Sequence, residues 1–256
     1  MSMDAKPKRD GNAIGVGAAD STDEGTFRTL RANLSSRPNA ARAVKRYRNL
    51  AVAYDESCGL IEGIRARAVA ALGLRPGEVV CDVACGTGAT LVALAQAVGE
   101  GGQVIGLELS DDMATLAHKR IESAGLTDRC RVRVGAIEEY LDRNRYDAFL
   151  FCYTHDVLQS PQALAALFAH ARDGARIAVA GARFLPWWWG FPLNLVTAYR
   201  GRRYLTTFRG LRRPWHLLEN YCPDFRVIGS DHAGTSYLGV GTYQTYPGKS
   251  NHSVST

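Results

Sequence analysis

The sequence predicts an α/β fold, doubly wound around a mostly parallel sheet, and three observations carry that prediction. Short apolar runs alternate with segments whose apolar residues recur at helical spacing, and glycine-bearing turns separate the two. At the C-terminal side the rhythm breaks. Two runs, 225–230 and 236–243, follow each other through a short Asp-His-Ala-Gly turn and read as a hairpin.

The elements justify themselves in order. Residues 40–72 are mostly good helix formers in which Leu60, Ile61, Ile64, Ala68 and Leu72 keep a helical period, and Gly73 is the stop. After an Arg-Pro-Gly turn, 78–83 is a short apolar run that reads as a buried strand. Helix 90–98 and strand 103–107 follow. In 111–124, Met113, Leu116, Ala117, Ile121 and Ala124 form a stripe behind Ser110, the expected cap. Strands 130–134 and 146–153 come next. Ser160-Pro161 opens a helix with Leu164, Leu167, Phe168 and Ala171 on one face, and 175–180 is the fifth strand.

Composition narrows the class. With 256 residues, 46% hydrophobic and 22% charged, the chain can bury one large core, which argues against collagen, coiled coil and wholesale disorder. No apolar run approaches the roughly 20 residues that span a bilayer. Residues 1–40 keep no period and are expected to be a flexible tail, as are 247–256. The N-terminus lacks the apolar stretch of a secretory signal, so a cytoplasmic location is expected. The six cysteines sit largely in apolar runs and read as buried thiols, and no metal site is expected. The net charge of +6 is matched by 183–226 alone, with eight arginines and two acids. Such a patch suits phosphates, anionic lipid or an acidic substrate, or else solvates an apolar lid.

The strongest motif is Asp82-Val83-Ala84-Cys85-Gly86-Thr87-Gly88, between a strand and a helix. Gly86 and Gly88 admit conformations and close ligand approach that a side chain would block. Twenty residues beyond Gly88, Glu108 ends the second strand, where an acid can accept hydrogen bonds from ribose hydroxyls. Ala84 and Leu91 occupy the outer glycine positions of a dinucleotide fingerprint, which weakens that reading, and no Gly-Lys-Ser/Thr follows to make a P-loop.

The stretch Val80 to Gly88, with Gly106-Leu107-Glu108-Leu109-Ser110 and Tyr146-Asp147-Ala148-Phe149-Leu150, resembles class I S-adenosylmethionine-dependent methyltransferases, and with Tyr54-Asp55 ahead of the first strand it looks most like the small-molecule branch that includes ubiquinone and menaquinone methyltransferases. The resemblance covers about 47–243. It implies a Rossmann-like, doubly wound seven-stranded sheet with a reversed last strand, one domain over 41–246 and a lid insertion at about 183–224. It implies S-adenosylmethionine as cofactor, its amino-acid portion among Asp82, Ala84, Cys85, Gly86 and Gly88, its ribose on Glu108, and its adenine between Leu109 and Met113 and near Ala136 and Ile137. Tyr54 would close over the carboxylate. Where the family usually has Gly-Asp-Ala, this chain has Gly135-Ala136-Ile137-Glu138, so the adenine amino contact falls to backbone groups or Glu138.

Methyl transfer depends on positioning and water exclusion more than on acid–base help. His155 is the candidate base and Asp156 its candidate orienting partner, against a structural role for both. Tyr153, Trp187, Trp188, Tyr204 and Trp215 are the candidate substrate contacts. The expected substrate is a small, partly apolar metabolite methylated on O, N or C. A lipid-headgroup N-methyltransferase at a membrane surface and a noncatalytic S-adenosylmethionine-binding protein are the alternatives. Nucleic acid is disfavoured, contact with a membrane stays open, and the oligomeric state is not legible.

Overall fold

The computed structural model describes residues 20–35, 37–50, 59–139 and 145–245. Seven strands form one sheet in the order β3-β2-β1-β4-β5-β7-β6. They are β1 (Val79–Val83), β2 (Gln103–Glu108), β3 (Cys130–Val134), β4 (Tyr146–Cys152), β5 (Ala171–Ala182), β6 (Arg226–Asp231) and β7 (Ser236–Thr242). The first five pair in parallel, and β7 runs antiparallel between β5 and β6. Strand order reverses between β1 and β4, so their carboxyl ends open the crevice in which doubly wound sheets bind ligands.

Helices α1 (Asp20–Ser35) and α2 (Ala40–Leu50) precede the sheet, and α3 (Glu62–Ala71) leads into β1. Helices α4 (Leu91–Val98) and α5 (Asp111–Ser123) are the crossovers to β2 and β3. After β4 come the one-turn α6 (His155–Leu158) and α7 (Pro161–Phe168), and α8 (Trp187–Gly201) begins the insertion after β5. Ser160 caps α7 by accepting from the Ala163 amide, with Pro161 at the first helical position, as its sequence predicts.

Strand alternation gives each sheet face its own core. Val80, Ala148, Leu150, Ala178 and Ala180 meet α3, α4 and α5 through Ile64, Leu72, Leu91, Leu94 and Ile121. Cys81, Val83, Phe149, Phe151, Ile177 and Val179 meet α7 through Leu164, Leu167 and Phe168. On this second face Phe168 stacks on Tyr221 at 4.6 Å and Tyr243 at 5.3 Å between centroids. A register shift between Tyr146 and Ala148 explains why Tyr146 joins the aromatic side although it lies two residues from Ala148.

The structure revises two expectations. The segment read as a tail through residue 40 contains α1, and Asn33 within it is fully buried. Weak periodicity hid this helix because it is fixed by distant partners: Asn33 Nδ2 donates to the Leu205 carbonyl, and the Phe208 amide donates to the Asn33 carbonyl. Leu30 packs with Leu205, Phe208, Leu211 and Phe184 in a small third core. The fifth strand is also longer than its apolar centre, because Ala171 pairs with Tyr146 before that centre begins.

Candidate active site

The carboxyl ends of β1, β2 and β4 meet in a cavity of about 250 Å³. Its floor is Ala84, Gly86, Leu107, Glu108, Leu109, Ser110 and Met113. Gly135 to Glu138 form one wall, and Cys152 to Val157 the opposite one. The roof joins residues from two distant parts of the chain, Pro38 to Val44 around the start of α2 and Tyr204 with Leu205 after α8.

Sharp backbone geometry brings the floor together. Ala84 (φ 52°) and Tyr153 (φ 59°) follow the adjacent strands β1 and β4, and both adopt a left-handed conformation unusual for residues with a side chain. Such strain costs on the order of 1–3 kcal/mol each and concentrates at ligand sites. Gly86 (φ 59°) turns its amide onto Glu108 Oε2 at 2.9 Å, while the Ser110 amide donates to Oε1 at 2.8 Å. Glu108 is thus 93% buried and held rigidly by main-chain donors, with lone pairs left for a ligand. Burial raises its pKa, and the main-chain amides of Ser110, Gly86 and Leu109 oppose that rise.

Ser110 occupies the N-cap position of α5 yet makes no cap bond, contrary to its expected role. Its Oγ, Thr154 Oγ1 and His155 Nδ1 are all buried without a hydrogen-bond partner among the described residues, and all three residues line the cavity. Leaving such groups unpaired costs about 1–3 kcal/mol each, so the cavity is set up for a polar ligand with apolar walls.

A smaller recess adjoins the cavity through Ala84, Gly86 and Cys152, and is also lined by Arg65, Asp82, Thr87 and Thr90. Asp82 accepts from the Thr90 hydroxyl, and burial pushes its pKa up to about 7 against the pull of that bond and of Arg65. A buried carboxyl beside a buried guanidinium complements a zwitterionic amino acid. Arg65 escaped sequence reasoning because one arginine on a helix reads as a solvated charge. Its place beside Ile64 and Ala68 on the buried face was the available signal.

Other expected contacts divide between the cavity and the core. Ala84, Gly86, Glu108, Leu109, Met113, Ala136, Ile137, Tyr153, His155, Asp156 and Tyr204 line the cavity, while Tyr54 lies outside the described residues. Cys85 is a core residue whose contact is limited to the recess, and its thiol lies against Gly106. Gly88 packs the turn onto Leu91 and Ala117 and lines neither space. Ala136 offers no side-chain acceptor, but Glu138 stands at the cavity edge and accepts from Ser160 Oγ.

His155 Nε2 lies 2.9 Å from the Arg209 carbonyl, which can only accept, so Nε2 carries the proton and Nδ1 the free lone pair. Asp156 does not orient it. The Asp156 carboxylate instead accepts from the Thr206 amide and hydroxyl, fastening the insertion to α6. Trp187 and Trp188 are corrected as well: at 70% and 67% exposure they face outward, away from the cavity. Trp215 packs on Tyr237 and Phe225 in the aromatic core. Among the described residues no cluster of His, Cys, Asp and Glu suits a metal ion.

Comparison with known proteins agrees with this architecture. Residues 74–188 match a family model described as a methyltransferase domain. The demethylmenaquinone methyltransferase of Bacillus cereus is 35% identical over 74 residues, covering 29% of this chain and 31% of the relative. The chain thus matches under a third of that relative's length. Among solved structures, the S-adenosylmethionine-dependent methyltransferase SibL superposes with a TM-score of 0.61 at 19% identity, covering 89% of this chain and 71% of the other. An S-adenosylmethionine-dependent O-methyltransferase from Thermotoga maritima gives 0.53 at 19% identity, covering 72% and 66%.

Proposed function

We propose that the chain is a class I S-adenosylmethionine-dependent methyltransferase, as its match to a methyltransferase domain over 74–188 and its strand order support, and that it methylates O, N or C of a small, partly apolar metabolite held in the cavity under the α2 roof. The observation that carries the reading is the meeting of the Glu108 carboxylate with three unpartnered polar atoms inside an apolar pocket.

The residues fit S-adenosylmethionine as a set. Glu108 offers acceptors to ribose hydroxyls, and Leu109, Met113 and Ile137 make an apolar slot for a purine. Arg65 and Asp82 complement a carboxylate and an ammonium. When bound, this cofactor supplies an electrophilic methyl group on a sulfonium.

His155 then serves as a proton acceptor through Nδ1. Burial lowers its pKa to about 4, so it is neutral at physiological pH and takes up a proton only as the acceptor sheds one. A base this weak suits an acceptor whose own proton is acidic, such as a phenol or an enol, better than an alkyl hydroxyl. The roof residues Ala43, Val44 and Leu205 exclude water from the reacting groups.

Calorimetric titration with S-adenosylmethionine and S-adenosylhomocysteine tests the cofactor site, with Glu108→Ala as control. Micromolar binding that is lost in the variant supports it, and no binding to either ligand overturns it. Labelled methyl transfer to a panel of phenols, quinols and amines then tests the activity. The Bacillus cereus relative's name puts a demethylmenaquinone first in that panel. Tight cofactor binding without turnover on any of them would instead favour a noncatalytic binding protein.

A further inference from the structure

Helix α8 inverts the usual amphipathic order. On a water-facing helix the apolar stripe turns inward and polar residues face solvent. Here Trp187, Trp188, Trp189, Phe191, Leu195, Val196 and Tyr199 are each about half to two-thirds exposed, and Pro192 between them is exposed too. The inward side is small and polar instead. Gly190 sits so close to Leu185 that a Cβ would collide with it, and Asn194 exchanges two hydrogen bonds with the Leu185 main chain. Thr197 returns its hydroxyl to the Leu193 carbonyl. The outward face thus has no folding role, and a monomer in water gains nothing from it.

Charge identifies what covers it. Residues 183–218 hold seven arginines and no acid. Arg200, Arg203, Arg209 and Arg212 are exposed and make no ion pair among the described residues, and Arg202 lies over the Tyr199 ring at 3.6 Å. A second copy docking by two-fold symmetry would bring the same arginine-rich segment against itself, and like charges would oppose it. At 15 residues, about 22 Å, α8 is too short to cross a bilayer, and no helix among the described residues is long and apolar enough to do so. Indole rings prefer the boundary between acyl chains and headgroups, while arginine pairs with phosphate.

We propose that the outward face of α8 lies in the interface of an anionic lipid membrane, its tryptophans among the headgroups and its C-terminal arginines on lipid phosphates. The inference is independent of methyl transfer. It does have a bearing on it: α8 runs directly into Tyr204 and Leu205, which line the cavity, so docking brings the roof toward the lipid phase.

The test is cosedimentation of the full chain with vesicles of phosphatidylcholine alone and of equal parts phosphatidylcholine and phosphatidylglycerol, at low and high salt. Binding to the anionic vesicles only, weakened by salt, is expected, with a blue shift of tryptophan emission and quenching by lipids brominated in the acyl chain. Trp188→Ser combined with Phe191→Ser should weaken partitioning about tenfold or more, given two large apolar side chains withdrawn from the interface. Leu60→Ser with Ile228→Ser, exposed apolar residues elsewhere, should leave it unchanged. Unaltered thermal unfolding shows that the variants fold. No binding to anionic vesicles at low salt overturns the proposal, as does binding that the α8 variant leaves intact. A wild-type dimer in solution that the α8 variant dissociates would assign the face to a second copy and equally overturn it.

Discussion

The Nε2–H of His155 donates to the main-chain carbonyl of Arg209 across 54 residues of sequence, and that bond decides which nitrogen is basic. It also ties protonation to stability. The folded pKa of about 4 lies below the ordinary value of 6.5, so the unfolded chain takes up the proton first. This contribution is complete above pH 6.5 and is lost as pH falls toward 4, by about 3 kcal/mol from this residue alone. Thermal unfolding between pH 7 and about 4 should fall less steeply in His155→Asn than in the wild type. Parallel curves would mean that His155 is not buried in its neutral form.

Asp82 has the opposite sign. Its pKa is raised to about 7, so near neutral pH a fraction of molecules hold the proton, and ionisation costs stability as pH rises from the ordinary 3.8 toward 7. An ammonium group arriving in the recess favours the carboxylate and expels that proton. Calorimetric titrations with S-adenosylmethionine at pH 7, in buffers of different ionisation enthalpy, should register release of part of a proton. In Asp82→Asn the buffer dependence should shrink markedly, and an unchanged dependence would place the ammonium elsewhere.

Gly88 (φ 77°) is needed for packing. A Cβ there would sit 2.9 Å from Leu91 Cδ1 and 3.0 Å from Ala117 Cβ, between α4 and α5. Gly88→Ala should lower unfolding free energy by about 2–4 kcal/mol, combining backbone strain and overpacking. Urea denaturation measures it. A loss below the error of the fit would show that the turn relaxes freely.

Asp156 is the latch between α6 and the insertion. Its bonds to the Thr206 amide and hydroxyl are charge-assisted, and hydrogen bonds of this kind contribute about 1.5–3 kcal/mol each at most. Asp156→Ala should speed hydrogen exchange at 204–209 and around Asn39, whose amide donates to Thr206 Oγ1. Exchange in β1 and β4 should stay as slow as in the wild type. Uniform acceleration across the sheet would mean general destabilisation instead.

The sheet and the cavity floor were legible in the sequence because local patterns determine them. The run at β1, the glycine turn after it, and an acid ending β2 place Gly86, Glu108, Leu109 and Met113 together whatever the rest of the chain does. The roof was not legible. Trp187 and Trp188 have a composition that suits a pocket, and only the inward packing of Gly190 and Asn194 turns them outward. Asp156 follows His155 directly, but the one-turn helix they open sends the carboxylate to Thr206. No period betrays α1, because Asn33 is buried by a partner 172 residues away.

That same long reach sets an order of assembly. The sheet's first pairings, β1 with β2 and β2 with β3, are complete once residue 134 has formed. The roof cannot close until Leu205, Thr206 and Phe208 exist to receive Asn33, Asn39 and Arg46. Contacts so distant in sequence form late, since the intervening loop must first be closed. On a ribosome the helices α1 and α2 would therefore emerge ahead of the first five strands and dock after them. Between the completion of β4 and the arrival of residue 205 the nascent domain would be a partial sheet with an open crevice, its cofactor floor formed and its cover missing.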